Sequence, residues 1–586
     1  MPGRIEPPMS AHQPTHAPLA GQALVAGTAA GEILHAGVGL SLWGGIDLAS
    51  GIVIDRHHPL AGRSVAGRVL AIPGGRGSCT GSAALLELIR NGRAPAAIVV
   101  CEAEEVITLG ALVAATVFEA TLPVLRLAPD DFERLAGVGQ ARIAGDVLYP
   151  DGCAAVPGAA MAPAGAATMR LEPRDEAMLA GAEGRACQVA MRLLAAMAAI
   201  QGAPRLIDVT RVHIDGCIYT GPASLEFASR LLAWGGRVRV PTTLNAISVD
   251  RRHWRELGVE AAFGAAASAL ADTYVAMGAQ PSFTCAPYLL DGAPGFGEQI
   301  GWGESNAVVY ANAVLGARTL KYPDFLDACV ALTGRAPDCG CHTAAGRRAT
   351  LAIDVALPAG ADDAFWPVLG YGCGTLCGKE IPLIRGLAQS GAGSDELKAF
   401  GAAFATAAAA PMYHMAGITP EADGQAPGRS LALRPSDLVS FWEKLDTAPA
   451  TAIDLVCLGN PHFSPGEFAR LAAMLRGRRR APGVRVVVCC GRQVHGVAAA
   501  AGDVAQIERF GATIVTDTCW CMLGEPVVPP AARTLMTNSG KYAHYAPGLV
   551  GRGVRFGSLR ACVEAACSGS APHARPDWLG APPPAG

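Results

Sequence analysis

Short apolar runs broken by Gly and Pro alternate along residues 31–149, and two of them, Arg68 to Ile72 and Ala96 to Cys101, predict buried strands. Gly81 to Asn91 predicts a helix between them, so residues 23–150 are expected to form a small β-rich domain. Residues 151–168 are mostly Ala, Gly and Pro with no amphipathic period, the composition of a linker. Residues 169–572 should form a larger domain, and the ends, 1–22 and 573–586, read as disordered tails. Within the larger domain, three β-branched runs, Ala452 to Leu458, Val484 to Cys489 and Ala512 to Thr516, alternate with helical patterns. Ser464-Pro465-Gly466-Glu467 offers an N-cap, a proline at the first helical position and a capping glutamate. The helix it opens should run to about Arg476 and stop at Gly477. The second pattern, Val494 to Phe510, predicts one amphipathic helix. Together these elements predict an α/β fold with a right-handed βαβαβ unit and a parallel sheet. The C-terminal ends of its strands should gather Asn460-Pro461-His462, Cys489-Cys490 and Asp517-Thr518-Cys519 round one crevice.

A chain of 586 residues is too long for one hydrophobic core. Its 51% apolar content and 71 glycines suit a compact α/β enzyme. Forty-seven basic against 50 acidic side chains leave no electrostatic footprint for nucleic acid or an anionic membrane. No apolar stretch reaches the roughly 18 residues of a membrane span, and the N-terminus lacks the order of a secretory signal. Eighteen cysteines without an export signal point to free thiols in a reducing compartment, so the expected location is cytoplasmic. The oligomeric state is not legible.

Chemistry concentrates in three places. The loop Pro73 to Ser82, with Gly74, Gly75, Gly77 and the Ser78-Cys79-Thr80 run, exposes backbone N–H groups before a helix, where negative charge is favoured. A tight strand-to-helix turn with Ser82 as cap is the plainer reading of the same residues. Cys285, in a turn-like segment ending at Pro287, and Cys519, at a strand end, fit the irregular loop mouths that thiolate ligands of iron require. A single Cys is more often a small buried hydrophobe. The pairs Cys339/Cys341, Cys373/Cys377, Cys489/Cys490 and Cys519/Cys521 lack the second CxxC of a structural zinc site. Thr537 to Tyr545 gathers hydroxyl, amide, ammonium and imidazole groups suited to a hydroxy acid, or simply to a solvated loop. Thr242 to Asn245 follows the apolar run Val238 to Val240, and Val212 to Cys217 ends another strand. His213 reads as a structural histidine, with no second histidine at ligand spacing.

These motifs, in this order, resemble the aconitase X family over nearly the whole chain. Gly44 to Asp47, His58 to Gly62 and Gly74 to Ser78 resemble its swivel domain. His213 to Gly216, Thr242 to Asn245, Cys285 to Tyr288, Gly303 to Val308, Asp517 to Cys519 and Asn538 to Lys541 resemble its large catalytic domain. The fused order resembles single-chain members that dehydrate cis-3-hydroxy-L-proline; split archaeal members dehydrate mevalonate 5-phosphate. The resemblance implies a hydro-lyase for a small hydroxy acid, with an aconitase-like isomerase and an iron-sulfur redox sensor as alternatives. It gives Ser78 the role of catalytic base and makes Cys285 and Cys519 ligands of an iron-sulfur cluster. Gly216, Cys217, Asn245 and Lys541 match substrate-lining positions, and Ser305, Ser539 and His544 join them as substrate-binding candidates. Asn460 stands where the archaeal pattern has a further cysteine ligand. That departure favours a 2Fe-2S cluster over 3Fe-4S or 4Fe-4S and directs the search for a third thiol to Cys217, with Cys373, Cys377 and Cys489 as alternatives.

Overall fold

The computed structural model describes residues 17–55, 58–76, 79–151, 153 and 169–580. The chain divides into two compact units: residues up to 75 together with 88–166, and 76–87 together with the chain from 167 onward. The division falls within the helix Gly81–Arg90.

The first unit is built on a mixed eight-stranded sheet. The expected strands form as Val69–Ala71 and Ala97–Val100, paired in parallel. Both are buried at every position, which is why they read as unbroken apolar runs rather than alternating ones. Leu19–Ala20 pairs with Val147–Pro150, and Gln22–Val25 with Val124–Arg126. The tail expected through residue 22 is thus shorter, because Leu19 is drawn into this core.

The second unit carries three all-parallel sheets and a two-stranded antiparallel ribbon, Leu206–Asp208 with Arg335–Pro337. Val212–Ile214 lies between Thr242–Leu244 and Gly301–Trp302 in the first sheet. Leu351–Val355 lies between Pro382–Arg385 and Arg429–Leu433 in the second. The third has five strands in the order Thr513–Thr516, Arg485–Cys490, Leu455–Leu458, Thr534–Thr537, Gly553–Phe556. Chain order reverses direction across Leu455–Leu458 and Thr534–Thr537, which opens a crevice at their C-terminal ends. Gly459 makes that exit possible: its φ is +87, and a Cβ there would lie 2.1 Å from the Cys489 carbonyl oxygen.

The helix Pro465–Leu475 starts at the Ser464 cap as expected, with Ser464 Oγ accepting from Glu467 N at 3.1 Å. The second crossover is two helices, Arg492–Ala500 and Asp503–Arg509, because Gly502 breaks the run in a left-handed conformation. The strand expected at Val238 to Val240 instead forms at Thr242–Leu244, whose β-branched threonines pair with Val212–Ile214. At the C-terminus, Trp578 and Leu579 are buried and Trp578 Nε1 donates to Asp362 at 2.9 Å, so the expected tail does not begin at 573. The expected linker falls almost wholly outside the described residues.

Candidate functional site

Parallel strands of the second unit deliver the site residues from their C-terminal ends. Val212–Ile214 leads to Asp215, Gly216 and Cys217; Thr242–Leu244 to Asn245; Gly301–Trp302 to Glu304. From the five-stranded sheet, Leu455–Leu458 leads to Asn460 and His462, Thr513–Thr516 to the Asp517–Met522 turn, and Thr534–Thr537 to Ser539 and Lys541.

Three thiols meet. Cys519 hydrogen-bonds with both Cys285 and Cys521, and the bond with Cys285 is the leading cause that pushes the Cys519 thiol up. Asn460 Nδ2 donates to Cys521 Sγ at 3.4 Å, while its buried Oδ1 has no partner. The backbone N–H of His462 donates to Cys285 Sγ at 3.4 Å. The His462 ring spans Thr284 and Thr518, and burial lowers its pKa to about 4. Cys217 is not brought into this group: its thiol donates to the Ile214 and Asn245 carbonyls at 3.5 and 3.4 Å and faces Asp215, Asp324 and Asp327. The turn after Val212–Ile214 folds it back on its own backbone, and the third thiol of the group is Cys521. Cys373 and Cys377 sit on the helix Phe365–Cys377 beside each other. Cys489 is buried next to Cys519 on a neighbouring strand. Among the described residues, no three His, Cys, Asp or Glu side chains close round a single metal ion.

Beside the thiols, Lys541 Nζ donates to Glu304 Oε1 at 2.6 Å. Burial opposes the charge on both, but each holds its partner ionised: Glu304 is lowered and Lys541 raised, with the three thiols adding to the latter. Glu304 also caps the helix Ser305–Tyr310 through Ala307 N at 2.8 Å, and Asn306 ties that cap to the Cys285 carbonyl at 2.9 Å. Ser305, half-buried, opens that helix. Ser539 caps the helix Gly540–Val550, its hydroxyl accepting from Tyr542 N at 3.0 Å. One turn beyond Lys541, Tyr545 lies near Lys541, Cys521, Glu304 and Cys79, and burial raises its phenol to about 12. His544 instead lies at the surface and bonds Tyr371 at 3.1 Å.

The third part is acidic. Asp327 accepts backbone N–H bonds from Asp215, Gly216 and Ala328 at 2.5, 3.0 and 2.7 Å. Asn245 donates its amide to Asp215, and its Oδ1 accepts from Ala246 N at 2.7 Å. Burial, then Glu304 and Asp327, pushes Asp215 up to about 8; burial takes Asp327 to about 6 and raises Asp324 as well. Neither Asp324 oxygen has a well-formed hydrogen bond, although the side chain faces Thr80 and Asp215. Its backbone N–H donates to Cys79 O at 3.3 Å, and Cys79 Sγ donates to Gly303 O at 3.4 Å. Ser78 itself lies outside the described residues. His213 is a buried neutral ring, bonded to Thr243 at 2.8 Å and lowered to about 4 by burial.

Among the described residues, four non-glycine residues have positive φ, and three lie at this site: Phe283 (+41), Phe325 (+83) and Asp517 (+70). They stand beside Cys285, Asp324 and Cys519, where such conformations cost about 1–3 kcal/mol each and persist only if their surroundings hold them. Sequence reasoning missed Asp324 and Asp327, and it carried His462, Tyr545, Asp215 and Glu304 only inside motifs, without a role of their own. Cys521 carried a visible signal, the Cys519-Trp520-Cys521 spacing, which was weighed only for zinc.

Four stretches match family domains: 18–149 the aconitase X swivel domain, 168–345 its first domain, 349–443 its second and 453–568 its third. The chain is 57% identical to cis-3-hydroxy-L-proline dehydratase of Pseudomonas aeruginosa, over 95% of this chain and 97% of that one. It is 48% identical to the enzyme of the same name from Hypocrea jecorina, over 94% and 95%. The phosphomevalonate dehydratase large subunit of Methanothermobacter thermautotrophicus is 35% identical over 66% of this chain and 96% of its own. The crystal structure of Thermococcus kodakaraensis aconitase X, holo-form, superposes with a TM-score of 0.62 at 30% identity, covering 68% of this chain and all of that one.

Proposed function

Because the chain belongs to the aconitase X family, we propose that it converts cis-3-hydroxy-L-proline to 1-pyrroline-2-carboxylate. It is a hydro-lyase acting on a small molecule, as its relatives are dehydratases. The observation that carries the substrate is the 57% identity with a dehydratase of that name along almost the full length of both chains. The surroundings of Lys541 agree with it. Burial holds Asp215, Asp324 and Asp327 above the ordinary carboxylate range, and a cation seated among them would draw out their charge, which suits a substrate carrying a ring ammonium. Among the described residues, no helix is long and apolar enough to cross a membrane.

The family implies an iron-sulfur cluster, and the donors fit one. Cys285 and Cys521 both hydrogen-bond with Cys519, and the unpartnered Asn460 Oδ1 lies beside this group of thiols. Cys285, Cys519 and Cys521 would hold the cluster, and Asn460, standing where the archaeal pattern has a cysteine ligand, favours the 2Fe-2S form. When bound, it supplies a Lewis acid for the departing hydroxyl.

The chain's own residues do the rest. Lys541, held by Glu304, has ammonium donors left to bind the substrate carboxylate. Asp215 and Asp324 receive the ring ammonium. Ser78 removes the proton from the carbon next to the carboxylate. A serine hydroxyl is a weak base, so it acts only where fixed dipoles and cations stabilise charge as it develops. Loss of water leaves an enamine that tautomerises to the cyclic imine. Anaerobic incubation with cis-3-hydroxy-L-proline and, separately, mevalonate 5-phosphate, with trapping of the imine, tests this reading. Imine from the first and no turnover of the second are expected; the reverse overturns it.

A further inference from the structure

The His462 ring is fully buried, and its hydrogen bonds run in one direction. Thr518 O, 2.8 Å away, only accepts, so Nε2 carries the proton. Nδ1 of the neutral ring then accepts from the Thr284 hydroxyl at 3.1 Å, whose oxygen accepts in turn from Ala286 N at 3.1 Å. Thr284 and Thr518 immediately precede Cys285 and Cys519. One ring therefore bridges the two loops that carry the paired thiols, while the backbone N–H of the same residue points at the Cys285 sulfur. The bridge is itself anchored: Lys398 Nζ donates to His462 O at 3.0 Å and pairs with Glu467, which accepts from Ser464 N at 2.8 Å. Gly491 leaves the space it needs, since a Cβ there would lie 3.1 Å from Thr284 Oγ1 and 3.8 Å from His462 Nδ1.

We infer that His462 is a positioning residue for the cluster: its ring fixes the separation of the Cys285 and Cys519 loops, and its N–H donates to the Cys285 sulfur. The inference rests on the reading of those cysteines as cluster ligands. A partner that orients ligands without touching iron acts on how long the cluster is held and on its electronic signature, and loss of such a partner typically weakens metal binding by about 10- to 100-fold.

The test uses the full chain purified anaerobically with its cluster. Thr284→Val removes the hydroxyl that meets Nδ1, Gly491→Ala presses a methyl against the same pair, and His462→Gln replaces the ring. Thr406→Val, whose hydroxyl bonds Ala402 O within its own helix at 2.8 Å, is the control. Iron release to a chelator should be roughly 10-fold or more faster in the first three and unchanged in the control, and the electron paramagnetic resonance signature of the reduced cluster should shift in the same three. Wild-type release rates and signatures in Thr284→Val and Gly491→Ala overturn the inference, whether or not His462→Gln folds. A wild-type chain that takes up no iron or sulfide overturns the cluster reading together with it.

Discussion

Around Cys285 and Cys519 the chain's own groups meet most polar demands: the His462 ring is bonded at both nitrogens, Asn306 ties the Cys285 carbonyl, and Arg492 grips Asp517 through two nitrogens. Around Asp215 and Asp324, on the other side of Glu304 and Lys541, the demands are left open. Two buried carboxyls face each other, Asp324 lacks a well-formed bond at either oxygen, and the nearby Tyr274 hydroxyl has no partner. The thiol side is organised before any ligand arrives, which suits ligands that must hold one geometry. The carboxylate side is arranged so that a cation completes it, because a buried acid pair without one must stay largely protonated.

Removing the proposed base should have the largest effect and leave both sides intact. Ser78→Ala should lower kcat by about 10²- to 10⁴-fold with iron and sulfide content unchanged; near-wild-type turnover would remove Ser78 from the reaction. Next comes the link between the two sides. Removing Lys541 alone would strand Glu304, so the pair Lys541→Met with Glu304→Gln is the cleaner change. It should raise KM roughly 10- to 100-fold, the worth of a charge-assisted hydrogen bond, and a KM unchanged in steady-state assays would place carboxylate binding elsewhere.

The carboxylate side also makes a prediction about pH. Asp215 titrates near 8 in the folded chain against 3.8 for a free side chain, so the folded chain holds the extra proton between those values. Stability is therefore full at the acid end and falls as pH rises from about 4 towards about 8. Asp324 adds to the same slope, its carboxyl being raised by burial and by Asp215. Unfolding midpoints of Asp324→Asn across that range should decline less than those of the wild type, and equal slopes would show that the acid pair does not share its protons.

The two sides also differ in how far they could be read from sequence. Strand, cap and parallel order in the five-stranded sheet follow from local patterns, because β-branched runs and the Ser464 box act within a few residues. The thiol side was legible where a cysteine closed such a strand, as at Cys519. Cys217 misled because a match of its neighbour Gly216 to a substrate-lining position does not say which way the turn sends the next side chain; here it sends the thiol onto the Ile214 carbonyl. The carboxylate side was nearly invisible. Asp324 and Asp327 open a helix, where acids are ordinary, and only the long-range approach of the turn at Asp215 makes them a buried group. Glu304 looked like a plain helix cap, which it is, and its second task needs Lys541 from 237 residues away.

The most direct measurement is iron and sulfide content, with the spectrum of the reduced cluster, for Cys521→Ser and Cys217→Ser purified anaerobically side by side. The account predicts a lost or altered cluster in Cys521→Ser and a wild-type cluster in Cys217→Ser. A wild-type cluster in Cys521→Ser and its loss in Cys217→Ser would contradict it.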